Sequence, residues 1–407
     1  MHILFLSDNF PPEGNAPASR TYEHAKEWVK LGHKVTVITC APNFPDGIVF
    51  EGYRNSWYQK ANMDGIRVIR VKTYITANEG FTRRILDYLS YALMAFLVGL
   101  LEKRPDVIVG TSPQFFTALS AWLLSAVKRK PFIFELRDIW PASIIEVGAM
   151  KKGLLIRQLE KLELFLYRRA KCIISVTHAF REELVQRGID ESKIVVVLNG
   201  VDLSLYQPAK KKCAEYLDQF DLREKFVVGY VGTLGMAHAL GNVLDTAEML
   251  RGYSGIKFVI AGSGAERVLL EQRITNEGLD NVVLIPRQPK ERMADLWSIC
   301  DISLVHLKNT PLFKTVIPSK IFESMGMGLP IIIAQPEGEA TEIVASNGVG
   351  IAVLPEMPGA LKKAVLKLYE DADFYKQLTV KSRQAAELYN RKVMAKKMLG
   401  FLKIASD

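Results

Sequence analysis

The chain has 407 residues, 49% of them hydrophobic and 24% charged, which excludes a mainly disordered polypeptide and, at roughly 100–200 residues per domain, favours two domains. Lysine and arginine outnumber acids 53 to 44, a net charge of +9, so an anionic partner is expected: phosphorylated substrate, anionic membrane or nucleic acid. Cys40, Cys172, Cys213 and Cys300 lie too far apart for a disulfide framework or a paired-cysteine metal knuckle, and a reducing compartment is expected.

The opening Met-His-Ile-Leu-Phe-Leu-Ser reads as a strand rather than a secretory leader. Strands are predicted at 2–6, 35–39, 67–71, 107–110, 132–136, 172–176 and 194–198. Most are unbroken apolar runs, the pattern of parallel strands covered on both faces. A helix over 18–31 is closed by Gly32, and Thr177 caps a helix over 179–187 closed by Gly188.

Arg83-Arg84 and Lys103-Arg104 bracket an apolar run over 85–101 whose only charge is Asp87. Its 17 residues fall short of the ~20 that cross a bilayer. The favoured reading is a buried core helix; a helix at a membrane interface beside basic flanks comes second and a spanning helix last. Positive charge concentrates over 128–171, where eleven Lys/Arg face five Asp/Glu. These clusters lack interleaved aromatics, so nucleic acid is the disfavoured partner.

The pattern pauses at Asn199-Gly200-Val201-Asp202 and over the polar stretch 207–224, then restarts. Strands follow at 226–231, 256–261, 282–285, 302–305, 330–334 and 350–354, with helices over 242–251 and 320–327 between them. The predicted class is therefore α/β: two doubly wound, Rossmann-like domains facing a central cleft, residues 1–205 and 206–385. A C-terminal helix in 386–407 is expected to pack back on the first domain.

Several strand-to-helix turns have a phosphate-binding look. In the first domain, the loop Ser7 to Ala16 lacks GxGxxG; Gly14 is either a turn glycine or a close-approach point for a ligand. The second domain offers Gly232-Thr233-Leu234-Gly235, where amides of the following helix start would face an anion, with His238 the nearest basic candidate. Gly262-Ser263-Gly264 is a weaker turn, with Arg267 at its third fingerprint position. Pro318 and Ser319 mark a helix start, and Lys320 and Glu323 share one helix face. That pair suits a diphosphate and a ribose diol, although Glu323 equally suits the positive end of a helix dipole. Asp371-Ala372-Asp373 resembles a metal-binding motif in spelling only and reads as a solvated helix face.

Taken together, Phe10-Pro11-Pro12-Glu13, Asn199-Gly200-Val201-Asp202, the Gly232 turn, Gly262-Ser263-Gly264 and Pro318-Ser319-Lys320 with Glu323 resemble the family 4 glycosyltransferases of GT-B fold, over nearly the whole chain. Ala16-Pro17-Ala18-Ser19-Arg20, Thr111-Ser112-Pro113-Gln114-Phe115-Phe116 and Glu135-Leu136-Arg137-Asp138-Ile139-Trp140-Pro141 resemble bacterial transferases that add N-acetyl-L-fucosamine during O-antigen or capsule assembly. The resemblance implies retaining transfer from a UDP-sugar in the second domain, without cofactor or required metal. It also implies a lipid-linked sugar diphosphate acceptor and a peripheral place on the anionic inner face of the bacterial cytoplasmic membrane.

By position, the resemblance gives Glu323 the donor ribose, Gly14 the diphosphate loop, and the segment near Arg287 the base. The family's usual glutamate eight residues before Glu323 is Thr315 here, so backbone groups from Thr315 to Ile317 would hold the sugar, with Gly232, Thr233, Pro318, Ser319 and Lys320 around the diphosphate. The basic pair that many members carry after the Gly232 turn is absent, which leaves Lys320 and Arg287 to supply charge. Lys320 would stabilise the leaving group, while Arg137 and Asp138 would act on the reacting sugar or acceptor, or else form a structural ion pair. A histidine common near that turn, which contacts a 6-hydroxyl, is missing, as a 6-deoxy donor allows. Competing readings are a UDP-sugar 2-epimerase of the same fold, a nicotinamide oxidoreductase (opposed by the missing GxGxxG), and a non-catalytic membrane-surface protein.

Overall fold

The structure is a computed structural model that describes residues 1–44, 46–76, 81–112, 114–139 and 153–406. Trp140, Pro141, Lys151, Lys152 and Pro113 of the sequence patterns above lie outside the described residues. The chain forms two compact units, 1–198 with 391–407, and 199–390.

The first unit contains β1 (His2–Leu6), α1 (Ala16–Lys30), β2 (Lys34–Cys40), β3 (Tyr58–Met63), β4 (Ile66–Val71), α2 (Phe81–Leu101), β5 (Val107–Thr111) and α3 (Phe115–Lys128). β6 (Phe132–Leu136), α4 (Leu154–Arg169), β7 (Cys172–Ser175), α5 (His178–Gln186) and β8 (Ile194–Val196) follow. The strands order β3-β4-β2-β1-β5-β6-β7-β8, all parallel except the β3–β4 pair. Alternation within each strand sorts the core. Leu4, Leu6 and Ile38 face α2 and α3, whereas Ile3, Phe5, Val35 and Val37 face the other way. β1 pairs with β2 on one side (Ile3 opposite Val35) and β5 on the other (Ile3 opposite Val107), so chain order reverses at β1.

β3 escapes sequence reading. Tyr-Gln-Lys-Ala-Asn-Met is polar and exposed, and only its antiparallel ladder to β4 across the Asp64-Gly65 turn makes it a strand. The Thr177 cap is present, its hydroxyl accepting from Phe180 N at 3.0 Å.

α2 departs from the favoured expectation of a buried core helix. Tyr91, Ala95 and Val98 are buried, with Tyr91 Oη donating to Ile38 O at 2.8 Å. Leu86, Leu89, Leu93, Leu97 and Leu101 are exposed, and only 22% of the apolar stretch 83–101 is buried. The helix is long and apolar enough to cross a membrane by length and composition, yet one face is built into the domain.

The second unit contains α6 (Ala214–Gln219), β9 (Phe226–Val231), α7 (Gly241–Met249), β10 (Ile256–Ala261), α8 (Arg267–Glu277), β11 (Val282–Ile285) and α9 (Met293–Ser298). It continues with β12 (Ile302–His306), α10 (Lys320–Met327), β13 (Ile331–Ala334), α11 (Glu339–Ser346), β14 (Gly350–Val353), α12 (Pro358–Glu370) and α13 (Ala372–Leu388). Its sheet is wholly parallel, order β11-β10-β9-β12-β13-β14. The switch point falls between β9 and β12, where doubly wound sheets place ligands beyond the strand carboxyl ends.

The boundaries differ from 205/206 and 385/386. Arg20 donates to Val197 O and Leu198 O at 3.0 and 2.9 Å, which holds the chain to the first unit through 198, while Val201 N donates to Tyr389 O at 2.9 Å in the second. A cut at 385/386 would fall inside α13. The return is instead at 390/391, where α14 (Arg391–Ser406) begins and Arg391 pairs with Glu23 at 2.8 Å. α14 lies against α1, with Trp28 Nε1 donating to Ala395 O at 2.8 Å and Met398 and Leu402 fully buried.

Candidate functional site

Two glycine turns at the carboxyl ends of β9 and β10 are packed into each other. Gly232 N donates to Ala261 O at 2.9 Å, Leu234 N to Ser263 O at 2.8 Å, and Glu266 N to Leu234 O at 2.9 Å. Gly232 has φ +149° and Gly262 φ +148°, a conformation that side chains resist, and a β-carbon on Gly262 would stand 1.8 Å from Gly232 O. Arg267, the residue that spoils the dinucleotide fingerprint, donates to Gly262 O at 3.0 Å and Ile285 O at 3.2 Å, tying the second turn to β11.

Lys320, the first residue of α10, reaches over this pair of turns. Its Nζ is buried without a hydrogen-bond partner among the described residues and stands 3.7 Å from the centroid of the Tyr230 ring. A β-carbon on Gly232 would come within 3.0 Å of it, so glycine keeps the space above the turn clear for the ammonium. Burial pushes Lys320 down to about 7, and Glu323 one turn on partly offsets this. A buried ammonium without a counter-charge is costly, and a phosphate is a group whose chemistry would offset that cost.

Behind the turn, a histidine pair spans the switch point. His306 ends β12 and is fully buried; its Nδ1 lies 2.8 Å from His238 O and its Nε2 2.8 Å from Asn242 Nδ2. His238 Nδ1 in turn lies 3.3 Å from His306 O. Burial lowers both histidines to about 4. His238 occupies a 3₁₀ turn, Met236–His238, and α7 starts only at Gly241. The helix amides expected directly after Gly235 are therefore displaced by this turn.

The other residues of the sequence reading separate into three groups. Thr315 is turned inward locally, its hydroxyl donating to Leu312 O at 2.9 Å; Ile317 is buried; Pro318 and Ser319 lead into α10, Ser319 without a side-chain capping bond. Thr233 is exposed on the turn and Arg287 is exposed beyond β11. Arg287 follows β11, two strands from β9, about 10 Å at normal strand spacing.

Gly14, Arg137 and Asp138 belong to the first unit, Gly14 exposed between β1 and α1. Arg137 N and Asp138 N both donate to Ser112 Oγ, at 2.8 and 3.2 Å, which fixes the turn after β6. The Arg137 guanidinium is buried, its Nη1 lacks a partner among the described residues, and burial lowers it to about 10. Glu135, itself paired with Arg20 at 2.9 Å, is a carboxylate that acts on it. Asp371 caps α13 through Phe374 N at 3.0 Å and pairs with Lys367, so the Asp371–Asp373 spelling marks a helix start.

His306, Asn242, Tyr230 and Arg267 were missed as site residues. The only local signal was the end of an apolar strand for His306 and Tyr230, and a helix start for the others.

Family models match in tandem: a glycosyl transferase 4-like domain over residues 15–200 and glycosyl transferases group 1 over 215–385. A putative colanic acid biosynthesis glycosyl transferase of Escherichia coli, WcaI, is 25% identical over 370 residues, covering 89% of this chain and 90% of that protein. Among solved structures, sucrose-phosphate synthase of Thermosynechococcus elongatus superposes with a TM-score of 0.78 at 16% identity, covering 99% of this chain and 98% of that one. HepE of Anabaena, solved with UDP, gives 0.71 at 17% identity over 99% of this chain and all of that one. With both halves matched in order and two Rossmann-like units in the structure, the chain belongs to the family 4/group 1 glycosyltransferases of GT-B fold.

Proposed function

We propose that the second unit binds a UDP-sugar at the Gly232 turn and that the protein transfers the sugar, with retention and without a metal, to a lipid-linked saccharide of a bacterial surface polysaccharide. The observation that carries the reading is Lys320: a buried ammonium with no hydrogen-bond partner among the described residues, set over a turn that glycine keeps open, at the sheet's switch point. HepE was solved with UDP and UDP-glucose, and relatives are named for colanic acid and lipopolysaccharide biosynthesis, which supports the nucleotide and the polysaccharide setting. The donor sugar, N-acetyl-L-fucosamine or a related 6-deoxy acetamido sugar, rests on the sequence likeness and on the absence of a histidine at the Arg137-Asp138 turn.

In this reading Glu323 holds the ribose diol, with Arg287 toward the base. Gly232, Thr233 and the segment Thr315, Ile317, Pro318 and Ser319 surround the diphosphate and sugar. As the glycosidic bond breaks, negative charge grows on the β-phosphate, and Lys320 lies where that charge appears. Because Lys320 sits near neutrality when unoccupied, the diphosphate itself draws it to the charged form. By the resemblance Gly14 lies on the diphosphate loop, and Arg137 and Asp138 act on the reacting sugar or acceptor.

The exposed face of α2, flanked by Arg83, Arg84, Lys103 and Arg104, supports a peripheral position on the anionic inner face of the cytoplasmic membrane. Lys320→Ala tests the donor site. It should weaken UDP by about tenfold or more, the worth of one charge-assisted contact, and leave uridine within about twofold. Equal losses for UDP and uridine would contradict the assignment.

A further inference from the structure

Lys320 brings one positive charge to the Gly232 turn, and a diphosphate carries more than one negative charge. The geometry points to the second group. We propose that His238 is a further ligand of the donor diphosphate, taking up a solvent proton at Nε2 as the anion arrives. The inference rests on the donor-site reading above.

Three observations carry it. First, the ring is aimed. Its Nδ1 faces His306 O, so the opposite edge, Cδ2–Nε2, lies away from His306, and Cδ2 stands 4.0 Å from where a β-carbon on Gly235 would be; the ring packs edge-on to Tyr230 at 5.8 Å, the same ring that carries Lys320. Second, the tautomer is fixed. His238 Nδ1 faces the carbonyl oxygen of His306, which only accepts, so Nδ1 keeps its proton and Nε2 holds a lone pair. A lone pair cannot bind an oxyanion; the imidazolium can. Third, the anchor is rigid. His306 returns the bond from its own Nδ1 to His238 O and accepts from Asn242 at Nε2, so each hydrogen-bonding position of this fully buried ring is used. The reciprocal pair bolts the 3₁₀ turn of His238 to the end of β12, across the β9–β12 switch point.

The groups that face His238 are Lys320 from α10, His306 from β12 and Tyr230 from β9. Glu323 acts on Lys320, Glu356 on His306 and Glu266 on Tyr230. In the unliganded protein, burial first and Lys320 second hold His238 neutral at about 4. A bound diphosphate reverses the Coulomb balance and raises that value. Proton uptake then links affinity to pH: relative to a protein lacking Nε2, wild type gains UDP affinity as pH falls from 7 toward 5.

His238→Asn separates anchoring from ligation, since its amide keeps a donor near Nδ1 for His306 O but removes Nε2. His238→Gln places an uncharged amide near Nε2 instead. UDP and uridine affinities are measured for wild type and both variants between pH 5 and 8. UDP's own terminal phosphate also titrates here, equally for all three proteins, so the ratio to wild type is the readout. The expected result is that His238→Asn loses about tenfold in UDP affinity at pH 5 and much less at pH 8, with uridine unchanged. His238→Gln should recover part of the loss without the pH dependence. A wild-type-to-variant ratio that is flat in pH, or equal losses for uridine, overturns the proposal. Wild type that fails to bind UDP overturns the donor-site reading, and this inference with it.

Discussion

Lys320 is the residue at which stability and function pull apart. An ordinary lysine titrates at 10.5, but this one is pushed to about 7 by burial. Between those values the unfolded chain binds more protons than the native one, so native stability rises with pH across 7 to 10.5; below 7 the full cost of burying the charge is present. Lys320→Met, which keeps the stem and removes the charge, should therefore raise the melting temperature of the second unit by about 3 °C or more at pH 6, where 1 kcal/mol corresponds to about 2–4 °C for a unit of this size. The gain should shrink toward pH 10, while UDP binding is weakened by about tenfold or more throughout. Thermal scans of both proteins at pH 6, 8 and 10 check this, and a destabilised Met variant at pH 6 would show that the ammonium has a partner in the folded state. Residue-scale legibility follows the same line. Gly232, Lys320 and Glu323 were readable because their spacing alone suggests a turn and a helix face. His306 and Asn242 were not, because their meaning is a contact made across 64 residues of chain.

Among elements, α2 shows how one apolar count covers two structures. Its composition could not distinguish a core helix from a surface one, because leucine serves both; what decides is that Tyr91, Ala95 and Val98 take the inner face and leave Leu86, Leu89, Leu93 and Leu97 outside. At 1.5 Å per residue the exposed stripe from Leu86 to Leu101 runs about 22 Å, enough to lie along a membrane surface with basic residues at both ends. Leu93 is 59% exposed, so Leu93→Glu with Leu97→Glu should leave the melting temperature within about 2 °C, as surface changes usually do. The same pair should abolish sedimentation with vesicles containing anionic lipid at low salt. Retained sedimentation would move the membrane contact elsewhere. The strands, by contrast, were legible almost to the residue, since unbroken β-branched runs such as Val227-Val228 and Ile331-Ile332-Ile333 suit only a sheet covered on both faces. β3 was not, because its stability comes from its neighbour rather than its own composition.

For the whole molecule, two doubly wound sheets were legible from the alternation of strands and helices, which restarts after a polar pause. The boundaries were less so, because composition marks where helices and strands stop and not where the chain changes allegiance. Arg20, 178 positions before Leu198, holds the end of the first unit, and Glu23 holds the start of α14. The proposed metal-independent UDP-sugar site of the second unit is tested most directly by calorimetric titration with UDP, GDP and NAD, each in EDTA. Saturable binding of UDP, with GDP and NAD at least about tenfold weaker, is the predicted result. Preference for NAD or GDP, or UDP binding that vanishes in EDTA, would contradict it.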